Sequence, residues 1–172
     1  MAFLLMVPLF VIRFGLLAAL DKRALARAAR FPPLAGRERA GCAVYQISNA
    51  LIVLYPFFLS IETEPTLLVA AGCVVYGTGV ALLIASTVRF AHPPASGLLQ
   101  DGVYRFSRNP MYVSYFLYFL GCALLAQSAL LFALVLAFQV SAHAIIKAEE
   151  RECEEAFGEE YRAYCRRVRR YV

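Results

Sequence analysis

The chain has 172 residues, of which 61% are hydrophobic and 17% are charged, and its formal net charge is +5 at pH 7. Ordinary soluble domains are about half apolar and a quarter charged, so this composition excludes that class of protein. The positive charge requires no nucleic acid, because basic loops beside anionic lipid headgroups account for it.

Long runs without charges predict the membrane-spanning helices, since about 20 apolar residues in a helix cross the bilayer core. The first run contains one charge, Arg13, and the later runs contain none. The last run, residues 111–146, would extend about 54 Å as one helix, whereas the bilayer core is about 30 Å thick. The polar pair Gln127-Ser128 near its middle therefore predicts a turn. The predicted spans are residues 2–20, 40–61, 66–88, 111–126 and 129–146.

These runs predict a single all-α domain over residues 1–172, a polytopic membrane helix bundle of about five transmembrane helices with an amphipathic C-terminal helix in the cytosol. Sixteen of the 17 Lys and Arg residues fall on one side of such a bundle. Because these residues favour the cytoplasmic side, we expect an outside N-terminus and a cytosolic C-terminus. The expected location is a cytoplasmic membrane of bacterial or archaeal type.

The connection over residues 89–110 is long, and long loops in compact proteins are often functional. It ends in "YRFSRNPMY", residues 104–112, directly before a charge-free run. Pro110 suits the first turn of the next helix, and Asn109 suits its N-cap. Two interpretations remain open: a ligand site at the membrane surface, or a helix start with tyrosines in an interfacial belt.

The tail carries two acidic residues where basic anchors are usual. Glu149 and Glu150 follow the last apolar residue, Ile146, by three and four positions. Neighbouring helical side chains point about 100° apart, so we expect one glutamate to face inward and the other to take solvent or an arginine. Gly158 predicts a bend. Beyond Glu150, an apolar stripe with spacings of 4, 3, 4 and 3 predicts an amphipathic helix: Phe157, Tyr161, Tyr164, Val168 and Tyr171.

Metal and classical nucleotide sites are not expected. The five cysteines form no CxxC pair and are interpreted as free thiols. His92 and His143 have no paired ligand spacing. The chain also contains no P-loop and no strand–GxGxxG–helix unit.

Taken together, these residues resemble the integral-membrane methyltransferases of the isoprenylcysteine carboxyl methyltransferase family and the related phospholipid N-methyltransferases. The resemblance rests on "GVYRFSRNPMY", on Gly121 nine residues after Tyr112, on the charge-free hairpin, and on "EER" and "FGEEYRAY" followed by "RRV". It implies S-adenosyl-L-methionine as methyl donor, held on the cytosolic side, and a lipidic acceptor that enters from the bilayer. The implied catalytic part is about residues 89–172.

The resemblance also implies the site residues. Asn109 stands where the family often has histidine, so its implied role is a polar contact and not acid–base chemistry. Glu149 is the better match to the donor-binding glutamate. "GTG" at residues 77–79 resembles a Gly-x-Gly of the donor site in phospholipid methyltransferases, and close helix packing explains it equally well. The implied cofactor-binding residues are Leu98, Leu99, Tyr104, Asn109, Pro110, Met111, Tyr112, Glu149 and Glu150.

The expected function is methyl transfer from S-adenosyl-L-methionine to a lipidic or small hydrophobic acceptor. A carboxylate acceptor requires no base, but an amine or phenol must lose a proton, so the catalytic candidates are Tyr112, His143 and Glu150. A hydrogen-bonded structural role is the other interpretation of His143. The alternatives are a phospholipid amine N-methyltransferase and a non-enzymatic membrane scaffold. The expected partners are the acceptor and membrane lipids, with no nucleic acid and no metal.

Overall fold

The computed structural model describes every residue except Phe31 and Ala35, and also leaves out the side chain of Arg37. The described residues form helices and connecting loops without a β-strand, which confirms the all-α prediction. Two short 3₁₀ turns, Tyr55–Phe58 and Gly102–Arg105, lie between the helices. The helices are α1 Ala2–Leu20, α2 Lys22–Ala28, α3 Arg37–Leu54, α4 Thr66–Ala91, α5 Pro110–Leu125 and α6 Ala129–Arg167.

Four helical segments are long and apolar enough to cross a membrane: α1, α3 with its 3₁₀ extension, α4 and α6. The fifth expected span, α5, is apolar but has 16 residues, about 24 Å at 1.5 Å per residue. Its two ends nevertheless bond to opposite sides of the bundle. The Leu125 carbonyl accepts from the Glu62 amide at 2.9 Å, and the Asn109 side chain donates to Glu150 at 3.2 Å. Thus α5 connects the two polar sides with the 16 residues of the predicted span, shifted by one position toward the N-terminus.

The turn between α5 and α6 confirms the interpretation of Gln127-Ser128. Ser128 is the N-cap of α6, and its Oγ accepts a hydrogen bond from the Leu131 amide at 3.2 Å. Gln127 has a positive φ of 46°, and its side chain bonds the carbonyl of Glu64. This turn is therefore fastened to the acidic second connection, which the sequence places on the same side.

Close packing of α4 against α5 depends on small residues. A Cβ on Gly79 would lie 2.4 Å from the backbone nitrogen of Tyr118, and a Cβ on Gly121 would lie 2.5 Å from the Cα of Tyr76. Gly77 is exposed, and no described heavy atom lies within 4 Å of the Cβ it would carry. The packing interpretation of "GTG" is supported at Gly79, while Gly77 points away from α5.

The N-terminal helix is irregular and is held by two tyrosines. It contains a 3₁₀ segment at Ala2–Met6 and a π segment at Val11–Leu16. Tyr76 Oη donates to the carbonyl of Leu5 at 2.8 Å, and Tyr118 Oη accepts from the amide of Leu9 at 3.1 Å. Backbone groups inside a membrane require such partners because no water is available there. These bonds fix α1 against α4 and α5.

The tail bends where the sequence predicts a bend. Gly158 has φ 52° and ψ −122° inside α6, and such a positive φ favours glycine. Beyond it, Tyr161 and Tyr164 pack with Leu98 of the long connection. The last residues fold back onto the start of α5, because the Arg108 amide donates to the carbonyl of Arg169 at 3.0 Å. The predicted stripe therefore packs against the connection over residues 92–109.

Candidate functional site

A cavity of about 530 Å³ lies where α5 begins, bounded by the inner part of α1, the long connection and the part of α6 beyond Ile146. Small-molecule sites range from about 300 to 1,000 Å³, so its size fits a cofactor-sized ligand. The resemblance drew its nine cofactor-binding residues from three separate stretches of chain. All nine line this cavity: Leu98, Leu99, Tyr104, Asn109, Pro110, Met111, Tyr112, Glu149 and Glu150.

Glu149 presents its carboxylate to the cavity. Tyr112 Oη donates a hydrogen bond of 2.9 Å to Glu149 Oε1. The apolar part of α6 ends at Ile146, so Glu149 lies beyond the membrane-spanning segment. Removal from bulk water raises its pKa to about 7, while the Tyr112 hydrogen bond and the charge of Arg13 act in the opposite direction. Glu149 therefore changes charge within the physiological pH range.

Glu150 has a different role from Glu149, as expected from the angle of about 100° between neighbouring side chains on a helix. Its carboxylate lies 3.2 Å from Arg108 Nη2 and 2.7 Å from Arg170 Nη2, and it also accepts from the Asn109 side chain at 3.2 Å. Glu150 thus joins α6, the start of α5 and the C-terminal residues. Two guanidinium groups hold its charged form in place, and its catalytic role stays a prediction without support from this geometry.

Asn109 begins α5, but not as a side-chain cap. It occupies the N-cap position, and its carbonyl accepts from the amides of Tyr112 at 3.1 Å and Val113 at 3.2 Å. Its side chain makes no capping bond and instead donates to Glu150 and to the carbonyl of Arg170, each at 3.2 Å. The N-cap position of Asn109 is thus confirmed, although its Oδ1 caps no amide of α5 and its Nδ2 is taken by the glutamate and the folded-back tail.

His143 does not belong to the lining of this cavity. Its Nδ1 lies 2.7 Å from the hydroxyl of Tyr171, which fastens the end of the chain to α6. This contact agrees with the structural interpretation of His143. Its catalytic role remains a prediction that the geometry does not favour.

The charges that line the cavity are mostly paired. Among the described lining residues there are four arginines and three glutamates. Four ion pairs among the described residues involve them: Arg27 with Asp21 at 3.2 Å, Arg30 with Glu152 at 3.1 Å, Arg108 with Glu150 at 3.2 Å, and Arg170 with Glu150 at 2.7 Å. Within the described part of the chain, this leaves one lining carboxylate, Glu149, and one lining guanidinium, Arg13, outside any ion pair.

Arg13 was noted in the sequence but not assigned to the site. Its one local signal is that it is the charged residue inside an otherwise apolar span, and such residues often mark a functional site. Tyr115, also in the lining, lies within the charge-free run and looks like ordinary core. Both join the cavity through contacts between α1 and α5, which residue spacing does not reveal.

No group of three or more His, Cys, Asp or Glu residues that could hold a metal ion lies among the residues described. All five cysteines lie among the described residues and are free thiols, as expected.

Comparison with known proteins identifies the family of this chain. The family model of phospholipid methyltransferases matches residues 66–160, which is more than half of the chain. That stretch includes all nine of the implied cofactor-binding residues and leaves out Arg13. Searches of curated proteins and of solved structures give no match. The matched stretch and the several membrane-length helices together mean that the chain belongs to the phospholipid methyltransferase family and is an integral membrane methyltransferase.

Proposed function

We propose that the protein transfers a methyl group from S-adenosylmethionine to a lipidic or small hydrophobic acceptor, and that the cavity holds the donor. The observation that carries this proposal is the carboxylate of Glu149, which faces a cofactor-sized cavity without an arginine partner. A carboxylate in this setting suits the ammonium of an amino acid moiety, because charge-assisted hydrogen bonds are the strong ones.

The lining also suits the rest of such a donor. Leu98 and Leu99 supply aliphatic walls, and Tyr104 and Phe157 supply aromatic ones. Pockets of this kind are mostly apolar, with a few polar groups that fix the orientation of the ligand. When bound, the donor supplies a sulfonium-activated methyl group, which is the difficult part of the chemistry. The protein then contributes orientation and exclusion of water.

Residue roles follow from the contacts already described. Tyr112 holds Glu149 Oε1 through its hydroxyl, and Glu150 holds Asn109 and Arg108 in place. A carboxylate acceptor requires no base. An amine acceptor must release a proton, and Tyr112 is the lining candidate to receive it, because Glu149 is assigned to the donor ammonium. The cytosolic position of this site follows the distribution of basic residues.

Phospholipid amine N-methylation is the second candidate function, and the family match favours it. The two candidates differ in their dependence on pH. A carboxylate acceptor is ionised well below pH 7, so its methylation rate at saturating donor should be nearly constant from pH 6 to 9. The rate for an amine acceptor should increase toward the pKa of the amine or of its base.

The test is an extract of native membranes incubated with the purified protein and radiolabelled S-adenosylmethionine, followed by separation of the organic-phase products. We expect a labelled lipid product. Absence of such a product, together with no measurable donor binding by calorimetry, would contradict the proposal and favour a non-enzymatic scaffold.

A further inference from the structure

Arg13 is a charged residue inside a membrane span, and its side chain reaches into the cavity of the proposed donor site. Its Nη2 donates to the carbonyl of Ala28 at 2.8 Å, and its Nη1 lies 3.3 Å from Met111 Sδ. Its guanidinium carbon lies 6.0 Å from the centre of the Tyr115 ring. These partners are a carbonyl, a thioether and an aromatic ring, so none of them carries a negative charge that neutralises Arg13.

The other arginines around the cavity are neutralised by carboxylates. Arg27, Arg30 and Arg108 each lie within 3.2 Å of an aspartate or glutamate oxygen. No ion pair within the described residues includes Arg13. The cavity therefore contains one unneutralised cation, Arg13, and one carboxylate without an arginine partner, Glu149. The molecules that bind in the cavity should together carry charges opposite to those of Arg13 and Glu149.

A simpler role for Arg13 accounts for only part of this geometry. The Ala28 carbonyl ends α2, and a cation at a helix C-terminus is favourable. Arginine also commonly extends its charge from a span toward the interface. A guanidinium has five N–H donors, however, and the described bonds to Ala28 and Met111 use one donor each. The remaining N–H donors of Arg13 belong to a side chain that lines the cavity. An oxyanion of a bound ligand can accept hydrogen bonds from them.

The surroundings of Arg13 indicate which ligand it meets. Neighbouring residues of α1 are exposed on the apolar surface: Phe10 is 41% exposed, Val11 59% and Phe14 56%. Arg13 itself contacts α5 at Met111 and Tyr115, one turn apart at the end of that helix nearest the cavity. Glu149 stands instead on the segment of α6 beyond the membrane. The guanidinium itself contacts α2 at Ala28 and the first turns of α5, while the exposed residues beside it on α1 face the apolar surface from which an acceptor with an apolar chain arrives.

We infer that Arg13 binds the anionic group of the methyl acceptor, a carboxylate or a phosphate attached to an apolar chain. This inference rests on the proposed function and names the substrate class of the same cavity. In this arrangement Glu149 binds the ammonium of the donor, and Arg13 binds the oxyanion of the acceptor. Because Arg13 lies outside the family-matched stretch, this specificity belongs to α1 of this chain.

The test measures equilibrium binding to the full-length protein in an uncharged maltoside detergent, with saturating S-adenosylhomocysteine so that no turnover occurs. Two matched pairs of probes separate the sources of the oxyanion. N-acetyl-S-farnesylcysteine is compared with its methyl ester, and dihexanoyl phosphatidylmethanol, which carries one phosphate charge and no ammonium, is compared with dihexanoylglycerol. We expect at least one anionic probe to bind about ten- to a hundredfold more tightly than its neutral partner, the range for a charged hydrogen bond.

Arg13→Gln should abolish that preference, and Arg13→Lys should retain part of it, since lysine keeps the charge but loses the planar fork. Arg23→Gln is the matched control: Arg23 is exposed, lies in the same connection as Ala28, and does not line the cavity. Donor affinity should remain within about twofold in Arg23→Gln and in Arg13→Lys, which keeps the positive charge that acts on Glu149. Unchanged melting temperatures would show that α1 still docks.

The contrary results are distinct. A preference for anionic probes that survives in Arg13→Gln, or that is absent from the wild type, would overturn the inference and leave Arg13 as a helix cap. A loss of donor affinity of about tenfold in Arg13→Gln would also overturn it, because Arg13 would then hold the donor carboxylate. Failure of the wild type to bind donor contradicts the proposed function, and the probe pairs titrated without donor still test Arg13.

Discussion

Tyr112 donates a 2.9 Å hydrogen bond to Glu149, joining the first turn of α5 to α6 across 37 positions of the chain. Both side chains line the same cavity, and Glu149 has no arginine partner among the described residues. The bond orients a carboxylate that is available to a ligand, and two predictions about donor binding follow from it.

Glu149→Gln should weaken S-adenosylmethionine binding by about 1.5–3 kcal/mol, the range for a charged hydrogen bond, because the amide keeps the shape but loses the charge. Isothermal titration calorimetry on the purified protein measures this. Glu155→Gln is the control, since Glu155 is exposed on the same helix and does not line the cavity. Equal affinities for wild type and Glu149→Gln would remove Glu149 from the donor site.

Donor binding should depend on pH through Glu149. Its pKa is raised to about 7 by removal from water, so the carboxyl is largely neutral at pH 6 and largely ionised at pH 7.5. Only the ionised form attracts the donor ammonium, which stays charged below its own pKa of about 7.7–8.0. Affinity should therefore increase by up to about tenfold between pH 6 and pH 7.5. Calorimetry across this range should show the increase in wild type and not in Glu149→Gln.

Two glycines of α4 should respond oppositely to alanine. Gly79→Ala places a methyl group 2.4 Å from the backbone of Tyr118, and such overpacking costs about 1–3 kcal/mol. Gly77→Ala meets open space on the same helix and should be neutral or stabilising by up to about 1 kcal/mol. Thermal unfolding in detergent compares them. Equal melting temperatures would contradict the close packing of α4 on α5.

The bundle should place its N-terminus outside and its C-terminus in the cytosol. Basic residues concentrate on one side, and they favour the cytoplasmic side of a membrane. Single cysteines at Thr63 and after Val172, in a cysteine-free background, can be labelled with an impermeant reagent in intact cells. Labelling should occur at Thr63 and should be absent at the C-terminus until the cells are opened. The reverse pattern would invert the assignment.

Several features of the fold were predictable because they depend on neighbouring residues. The charge-free runs indicated the spans, Gln127-Ser128 indicated the turn, and Gly158 indicated the bend. Segment ends were less predictable. The helix containing Glu149 continues past the last apolar residue, from Ala129 to the kink at Gly158 and on to Arg167, since the helical hydrogen bonds do not stop where the apolar residues do.

Composition and hydropathy were sufficient to establish a membrane helix bundle with one basic side, because hydrophobicity and charge are properties of short stretches of chain. The resemblance in residues 97–168 was sufficient to select nine residues that share one cavity. Contacts between helices that are distant in the chain could not be predicted from the sequence in this way. The packing of α1, α5 and α6 decides that Glu150 pairs with two arginines while Glu149 faces the cavity. It also decides that Arg13 reaches the same cavity from the first span. Those contacts form only when the helices pack together. Each one joins two segments that are distant in the chain, and the residue pattern of neither segment indicates its contact with the other.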